Sequence, residues 1–410
     1  MYRVSPFMRH FGLALLAGIA MATCWLTLSP DSYYDTIQYR LLDLPLPVWM
    51  APYPPAVTPL AIVSEGLMAL FLFFVGKELW EAIRLRRGAL SGRRGALPLA
   101  AMVGGWAGAV LVWLICGAMV ETAVEASPGV GWPMPLGSDV VLCYLLGRLI
   151  FGNGHPALHL LLLITIANDI FGLVVAGLAY QGPVLRLVWL ALTLAAVGVT
   201  WLGFGRLARA DATERAHRRA AALWPYVLAG VASWLGVVLA GLPGALGLLP
   251  LVPVIPHTDR AFGLFAQAEA FLHDPLNRLA HALVRPLALV LFLFGLTQGG
   301  VDLLALAPTT ATVLAAMWIG KPLGVMLGAL IALRVFGFAL PRGVKPRDLL
   351  IIAVLTGMGF TVPVLTLEST LPGGGMAEAA RLGLVLSLLA GGFAALLARL
   401  LPGRKKVVLP

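Results

Sequence analysis

The sequence predicts an all-α membrane protein of twelve transmembrane helices, two of them broken in mid-span, forming a single polytopic domain over 1–410. Three observations predict it. Sixty per cent of the 410 residues are hydrophobic and only 12% are charged, whereas a soluble domain carries about a quarter charged residues. The apolar residues gather into runs of the ~20 residues that a hydrocarbon core requires. Most of the 29 Lys and Arg residues fall in alternate connecting segments, as expected if those segments face the cytoplasm and the N- and C-termini lie there too. The net charge of +10 is then mostly topology, and no nucleic-acid partner is needed to explain it.

Taken in order, the first span is 10–29, entered from Arg3 and Arg9. A signal peptide would look similar, but cutting it off would leave the inside-positive alternation starting outside. An outer segment, 29–55, follows, rich in Pro and Tyr. It is long enough for a small hairpin or an interfacial helix, and its Trp49 suits a membrane–water boundary. The second span, 58–82, carries Glu65 and the Lys77–Glu78 pair, and ends on the basic loop RLRRGALSGRRG (84–95). The third is 96–120.

The fourth span, 136–151, opens with a helix-breaking run, WPMPLGSD, in which Pro133, Pro135 and Gly137 precede Asp139. The fifth, 156–181, is apolar except for one charge near its middle, Asp169, beside Asn168. The sixth, 184–205, leads into the basic loop RLARADATERAHRRA (206–220), and the seventh and eighth are read at 220–240 and 242–256. His257, His273 and His281 lie in or near the next inner loop with Asp259, Glu269 and Asp274. Their spacing matches no zinc motif, so solvated loop residues are the better interpretation, with a weak pH-sensing role as the alternative.

The ninth span is 283–300; the tenth, 308–333, contains Lys321; and the twelfth is 380–399. The eleventh, 349–367, is interrupted by LTGMGFTVPVLTLE, with Gly357, Gly359, Thr361 and Pro363 in mid-span. Breaks in membrane backbone survive only where protein or a water-filled cavity satisfies the freed N–H and C=O groups. Transporters place such breaks in corresponding positions of inverted halves to build a midplane ion site. Here they occupy the second member of the three-span groups 3–5 and 10–12. Ordinary kinks would explain the glycines and prolines alone, but not the charges beside them.

An ionised group at the bilayer centre costs at least ~2.5–3.5 kcal/mol, so an intramembrane charge is by default a functional residue. Pairing Lys321 with one aspartate would leave the other stranded. Two carboxylates facing one lysine instead form a net negative, cation-attracting cavity in which a proton competes with a metal ion. Ser138, Thr361 and Asn168 supply the neutral oxygens that a hard cation such as Na⁺ prefers. At crossed breaks Asp139 suits a positive helix N-terminus and Lys321 a negative C-terminus. Cys24, Cys116 and Cys143 lie within spans at no metal-ligand spacing and read as packing residues. No redox-cofactor or nucleotide motif is present, so the driving energy must come from an ion gradient.

Five segments, SEGLMALFLFFVGKE (64–78), PLGSDVVLCYLLG (135–147), ANDIFG (167–172), IGKPLGV (319–325) and LTGMGFTVPV (355–364), resemble, in order, those of the NhaA family of bacterial Na⁺/H⁺ antiporters. The resemblance implies a fold in which spans 4 and 11 cross as broken helices, and exchange of Na⁺ or Li⁺ for H⁺ across a bacterial inner membrane. It implies ion and proton binding at Asp169 and Asp139, a stabilising, charge-balancing role for Lys321, and Ser138 and Thr361 at the breaks. It gives Glu78, with Glu81 nearby, a place in pH sensing, although both equally fit a surface position from which they snorkel. It also implies a homodimer contact through the 29–55 segment.

Two departures stand out. Where the family has adjacent aspartates this chain has Asn168–Asp169, which implies one fewer proton per cycle unless Lys321 itself releases one. The family's histidine segment near the eighth span is replaced by AGLPGALG (240–247), with Pro243 in the histidine's place, implying a shifted or lost pH response. Other functions fit less well. A sodium-coupled organic-anion symporter would need a wider polar cavity. An intramembrane aspartyl protease with Asp139 and Asp169 as its dyad would be expected to show a GxGD pattern, and a neighbouring lysine would disturb its shared proton. A passive channel lined by single buried charges would bind too tightly to conduct.

Overall fold

A backbone withdrawn from water must satisfy its own N–H and C=O groups, and the long apolar runs accordingly form helices. The computed structural model describes residues 5–43, 56–84, 95–120, 129–179, 186–205, 220–257, 264–265 and 274–401. The basic loops at 85–94 and 206–219, together with Trp49, Asp259, Glu269 and His273, lie outside the described residues.

The helices are α1 (Phe7–Leu28), α2 (Pro30–Ile37), α3 (Pro59–Arg84), α4 (Ala96–Val120), α5 (Val140–Phe151), α6 (Pro156–Ala179), α7 (Leu190–Gly203), α8 (Trp224–Leu239), α9 (Pro275–Gln298), α10 (Pro308–Arg334), α11 (Pro346–Thr356), α12 (Thr361–Thr370), α13 (Gly374–Ser387) and α14 (Ala390–Leu400). Among the described residues, nine segments are long and apolar enough to cross a membrane, and three shorter ones, Leu187–Gly203, Trp224–Leu239 and Gly244–Val254, occupy the places expected of spans six to eight. Expectation and structure part company at the eighth. Residues 242–256 form two short 3₁₀ pieces, Gly244–Leu246 and Leu249–Val254, rather than an α-helix. Four prolines, Pro243, Pro250, Pro253 and Pro256, remove the N–H groups an α-helix would need there. The ninth helix also starts earlier than expected, at Pro275, because Asp274 caps it by accepting Asn277 N–H at 3.3 Å.

The 29–55 segment, read as a hairpin or a helix, begins with a helix and is closed by a strand pair. α2 follows α1 directly, and Leu42–Asp43 pairs antiparallel with Ala56–Val57. Tyr33 on α2 anchors this segment: its hydroxyl reaches the Leu296 carbonyl at 3.0 Å and accepts Gly300 N–H at 3.2 Å. Burial pushes that phenol up to about 12, so it remains a neutral donor at every physiological pH.

Helix contacts within the bundle run along small residues, which let backbones approach and give dispersion its full effect. The closest such seam joins α4 to α10. A Cβ on Gly104 would lie 2.7 Å from Gly328 Cα, and one on Gly108 would lie 2.9 Å from Gly324 Cα. No side chain larger than hydrogen fits, and Gly324→Val should therefore force the helices apart. We expect about 1–3 kcal/mol of destabilisation, read as a lower thermal midpoint of the detergent-solubilised protein. The seam matters because it sets the depth of Lys321, which follows a π-helical turn, Ala316–Gly320, in α10.

The broken spans lie at the centre. Buried residues make up 78% of Met134–Phe151 and 83% of the apolar 18-residue windows within Pro156–Ala179 and Pro346–Leu367, against 28% of such a window in α4. In the first break a 3₁₀ turn, Met134–Leu136, ends at extended Gly137, and α5 begins after Asp139. In the second, α11 ends at Thr356 and α12 starts at Thr361, with residues 357–360 non-helical. The breaks cross glycine on glycine: a Cβ on Gly359 would sit 3.2 Å from the Gly137 carbonyl oxygen, and one on Gly137 would sit 2.8 Å from Val362 Cβ. Asp139 N–H donates across the crossing to the Met358 carbonyl at 3.0 Å.

Candidate functional site at the crossed breaks

Each break frees backbone groups that regular helix would have paired, and the side chains around the crossing take them up. Asp139 is the N-cap of α5, accepting Leu142 N–H at 2.8 Å on Oδ1, while its Oδ2 accepts Thr361 N–H from α12 at 3.2 Å. One carboxylate thus faces the N-termini of two half-helices, where the helix dipoles favour negative charge. Asp169, from α6, accepts Ser138 N–H at 2.7 Å and Val140 N–H at 3.4 Å. Both aspartates are fully buried.

Lys321 serves the opposite pole. Its ammonium donates to the carbonyls of Pro135 at 3.0 Å, Leu136 at 3.1 Å and Gly137. These are the carbonyls at the end of the 3₁₀ turn, and they use all three N–H donors of the lysine. Among the described residues no ion pair joins Lys321 to a carboxylate, although Asp169 is near enough for the two charges to attract. The lysine therefore donates to a helix end rather than forming an ion pair with one aspartate.

The neutral oxygens foreseen in the sequence are here. Asn168 donates through Nδ2 to Ser138 Oγ at 3.1 Å, and Ser138 Oγ donates to the Thr356 carbonyl at 3.0 Å. That arrangement leaves Asn168 Oδ1 buried and without a partner. Thr361 Oγ1, beside the Asp139 carboxylate, is likewise buried with no partner at normal hydrogen-bond geometry. An orphaned buried oxygen costs about 1–3 kcal/mol. The two lie beside the carboxylates, Thr361 through its N–H to Asp139 and Asn168 as the residue preceding Asp169, and neutral oxygens of this kind suit a small hard cation.

Three contributors carry no mark in the sequence. Thr356 supplies the carbonyl that Ser138 binds, Cys143 donates its thiol to the Leu355 carbonyl at 3.1 Å, and Ser387 bonds the second break at Gly359. A lone Ser or Cys in an apolar run gives no signal, because such residues commonly bond their own helix.

The remaining charges sit elsewhere. Glu65 lies in a π-helical stretch, Ile62–Leu67, where its carboxylate accepts Gly244 N–H and its carbonyl accepts Trp234 Nε1–H at 2.7 Å. Glu78 and Glu81 do not snorkel to the surface, contrary to the surface position that the sequence also allows. Both are buried, paired with Lys77 at 3.1 and 3.3 Å, and Glu78 also accepts Phe265 N–H at 2.6 Å. The contact with Phe265 shows why: another segment covers this end of α3. His257 packs its ring against Trp80, with centroids 6.5 Å apart, and its Nδ1 lies 3.4 Å from the Ile255 carbonyl. No group of three or more His, Cys, Asp or Glu residues arranged to hold a metal occurs among the described residues.

Comparison with known proteins agrees with this architecture. Residues 8–399 match the family model described as Na⁺/H⁺ antiporter 1. The chain is 37% identical over the whole length of both proteins to the Na⁺/H⁺ antiporter NhaA of Jannaschia sp. (strain CCS1). It is 33% identical to Na⁺/H⁺ antiporter NhaA 2 of Pelobacter propionicus, over 97% of this chain and 98% of that one. In fold it is similar to the solved structure of the sodium proton antiporter MjNhaP1 from Methanocaldococcus jannaschii at pH 8. That match has a TM-score of 0.52 at 15% sequence identity and covers 95% of this chain and 92% of the other.

Proposed function

The chain belongs to the NhaA family of Na⁺/H⁺ antiporters, and from that premise we propose that it exchanges Na⁺ or Li⁺ for H⁺ across a bacterial inner membrane by alternating access, through the residues at its crossed breaks. The observation that carries this is the coincidence of two fully buried carboxylates with two buried neutral oxygens, Asn168 Oδ1, which has no hydrogen-bond partner, and Thr361 Oγ1 beside Asp139.

Asp169 is the carboxylate that holds either a proton or the cation. Asp139 completes the site while capping two half-helices, and Ser138, Asn168 and Thr361 replace water around the bound ion. A cation and a proton both neutralise the same negative charge, so the occupied forms resemble each other electrostatically and either one lets the core move. The empty, charged form is a buried carboxylate held by backbone N–H donors with no ion pair of its own, a costlier state than either occupied form, which discourages movement without cargo. Facing the cytoplasm, Na⁺ displaces a proton; facing outward, a proton displaces Na⁺. Lys321 keeps the broken helix end neutral throughout.

In this proposal the whole chain, 1–410, is one transporter domain with both termini cytoplasmic. It works without a cofactor or a catalytic step and pairs with a second copy through the outer segment. Glu78 and Glu81, buried with Lys77, are placed to modulate cation access with pH. A protease dyad has no such support: each carboxylate here is occupied by backbone N–H donors rather than sharing a proton with the other.

The test is collapse of a pH gradient in everted vesicles on adding Na⁺, Li⁺ or K⁺. Because the ligand must be deprotonated before it binds metal, protons should compete with Na⁺. Below the pH at which the site becomes half-protonated, the apparent KM for Na⁺ should rise about tenfold per unit fall in pH while the maximal rate stays flat. A KM independent of pH would rule out a shared site.

A further inference from the structure

The two breaks are built alike but not fastened alike. In the first, Asp169 of α6, the span that follows the break, takes the freed N–H of Ser138 at 2.7 Å. In the second, the span that follows contributes Ser387, at the end of α13. Its hydroxyl accepts Gly359 N–H at 3.2 Å, with the Leu384 and Gly359 carbonyls at 2.6 and 3.2 Å as its acceptors. Ser387 and Asp169 each lie on the span that follows a break and each take up an N–H that the break frees, one as a neutral hydroxyl and the other as a carboxylate.

We propose that Ser387 is a positioning residue for ion exchange, the uncharged counterpart of Asp169, which holds the second break so that Met358 and Thr361 meet Asp139. Gly359 lies between the two residues that touch this aspartate. Met358 presents its carbonyl to Asp139 N–H at 3.0 Å, and Thr361 gives its N–H to Asp139 Oδ2 at 3.2 Å. Without Ser387 the Gly359 N–H would be a buried donor that loses its partner, and the four-residue link would keep the bonds at its Gly357 and Met358 end but lose the one at Gly359. The site itself anchors Ser387 in turn: the residue is fully buried, and its carbonyl accepts Trp318 Nε1–H at 3.1 Å. Trp318 lies in the π-helical turn that precedes Lys321. One serine thereby ties the second break to the helix that carries the lysine.

The neutral clamp also has a functional reason. A carboxylate at this position would add a second exchangeable charge to the crossing, whereas a hydroxyl satisfies the same N–H and leaves the proton and cation chemistry to Asp169 alone.

This inference rests on the site proposed above. The test is Na⁺-driven collapse of the pH gradient in everted vesicles for Ser387→Ala, Ser387→Cys and Ser387→Thr, with Ser369→Ala and Asp169→Asn alongside. Ser369 bonds the Thr366 carbonyl of its own helix at 2.9 Å, and its alanine variant should behave as wild type. Ser387→Ala should raise the apparent KM for Na⁺ about tenfold, the effect of losing one buried hydrogen bond. Its maximal rate per unit of folded protein should change less than twofold. Thr, which keeps the hydroxyl, should restore KM, and Cys, with its weaker donor and acceptor, should fall between. If Thr does not fit the space and lowers the yield of folded protein, the Ala against Cys order still decides. An Ala variant with wild-type KM, or Ala and Cys variants with the same KM, would overturn the proposal. Loss of exchange in Asp169→Asn with no KM change in Ser387→Ala would count against the clamp alone, whereas retained exchange in Asp169→Asn would count against the site on which it depends.

Discussion

Everted vesicles carrying Asp169→Asn should show no collapse of the pH gradient on addition of Na⁺ or Li⁺, although the protein is present in the membrane at normal amounts. The substitution keeps the shape and one acceptor, so Ser138 N–H retains its 2.7 Å partner while the exchangeable charge is removed. Two opposite charges about 4 Å apart at an effective permittivity of about 20 attract by about 4 kcal/mol. That is close to three orders of magnitude in cation affinity, enough to push binding outside any workable Na⁺ range. Asp139→Asn should differ in kind. It forfeits part of a double cap, on Leu142 and Thr361, and should lower stability by roughly 1 kcal/mol as well as transport. Exchange by Asp169→Asn at even a tenth of the wild-type rate would move the shared proton and cation site away from α6.

Much of this site is legible in the amino-acid sequence, for a physical reason. A glycine or proline run before an aspartate in an otherwise apolar stretch is costly twice, once in backbone hydrogen bonds and once in charge. Only a protein interior built to meet both costs can retain it, so PLGSD and TGMGFT mark the crossing, and Asn168, Asp169 and Lys321 mark its walls. What composition does not convey is the partner of each charge. On sequence Lys321 is compatible with an aspartate or with a helix end, and it is the convergence of three carbonyls from residues 135–137 on its ammonium that favours the helix end. Glu78 and Glu81 are compatible with snorkelling because the segment bearing Phe265, which covers them, lies 187 residues from Glu78 along the chain. The eighth span reads as a helix because hydropathy counts proline as harmless, whereas the backbone does not. Ser387 carries no local signal at all. Its role depends on Gly359 lying across a helix boundary, a relation that no periodicity encodes.

The clamp at the first break leads to the second large effect. Lys321→Met keeps the length and apolar stem of the side chain but leaves the Pro135, Leu136 and Gly137 carbonyls buried without donors. Breaking a buried charged contact from one side costs about 3–5 kcal/mol, so the purified protein should lose at least about 5 °C of thermal midpoint along with its transport. Lys321→Arg should recover only part of this. The planar guanidinium cannot bring three donors to bear on three carbonyls from the position of one ammonium. The alternative, that the lysine matters chiefly by neutralising Asp169, makes an opposite prediction for the double variant. If charge balance dominates, adding Asp169→Asn to Lys321→Met removes the uncompensated carboxylate and should restore most of the lost stability. If the lysine holds the helix end, the carbonyls remain orphaned whatever stands at 169, and the double variant should be no more stable than Lys321→Met alone. The two changes lie in one network, so their coupling energy is the informative quantity. A coupling close to the full loss would reassign Lys321 from the helix terminus to the carboxylate.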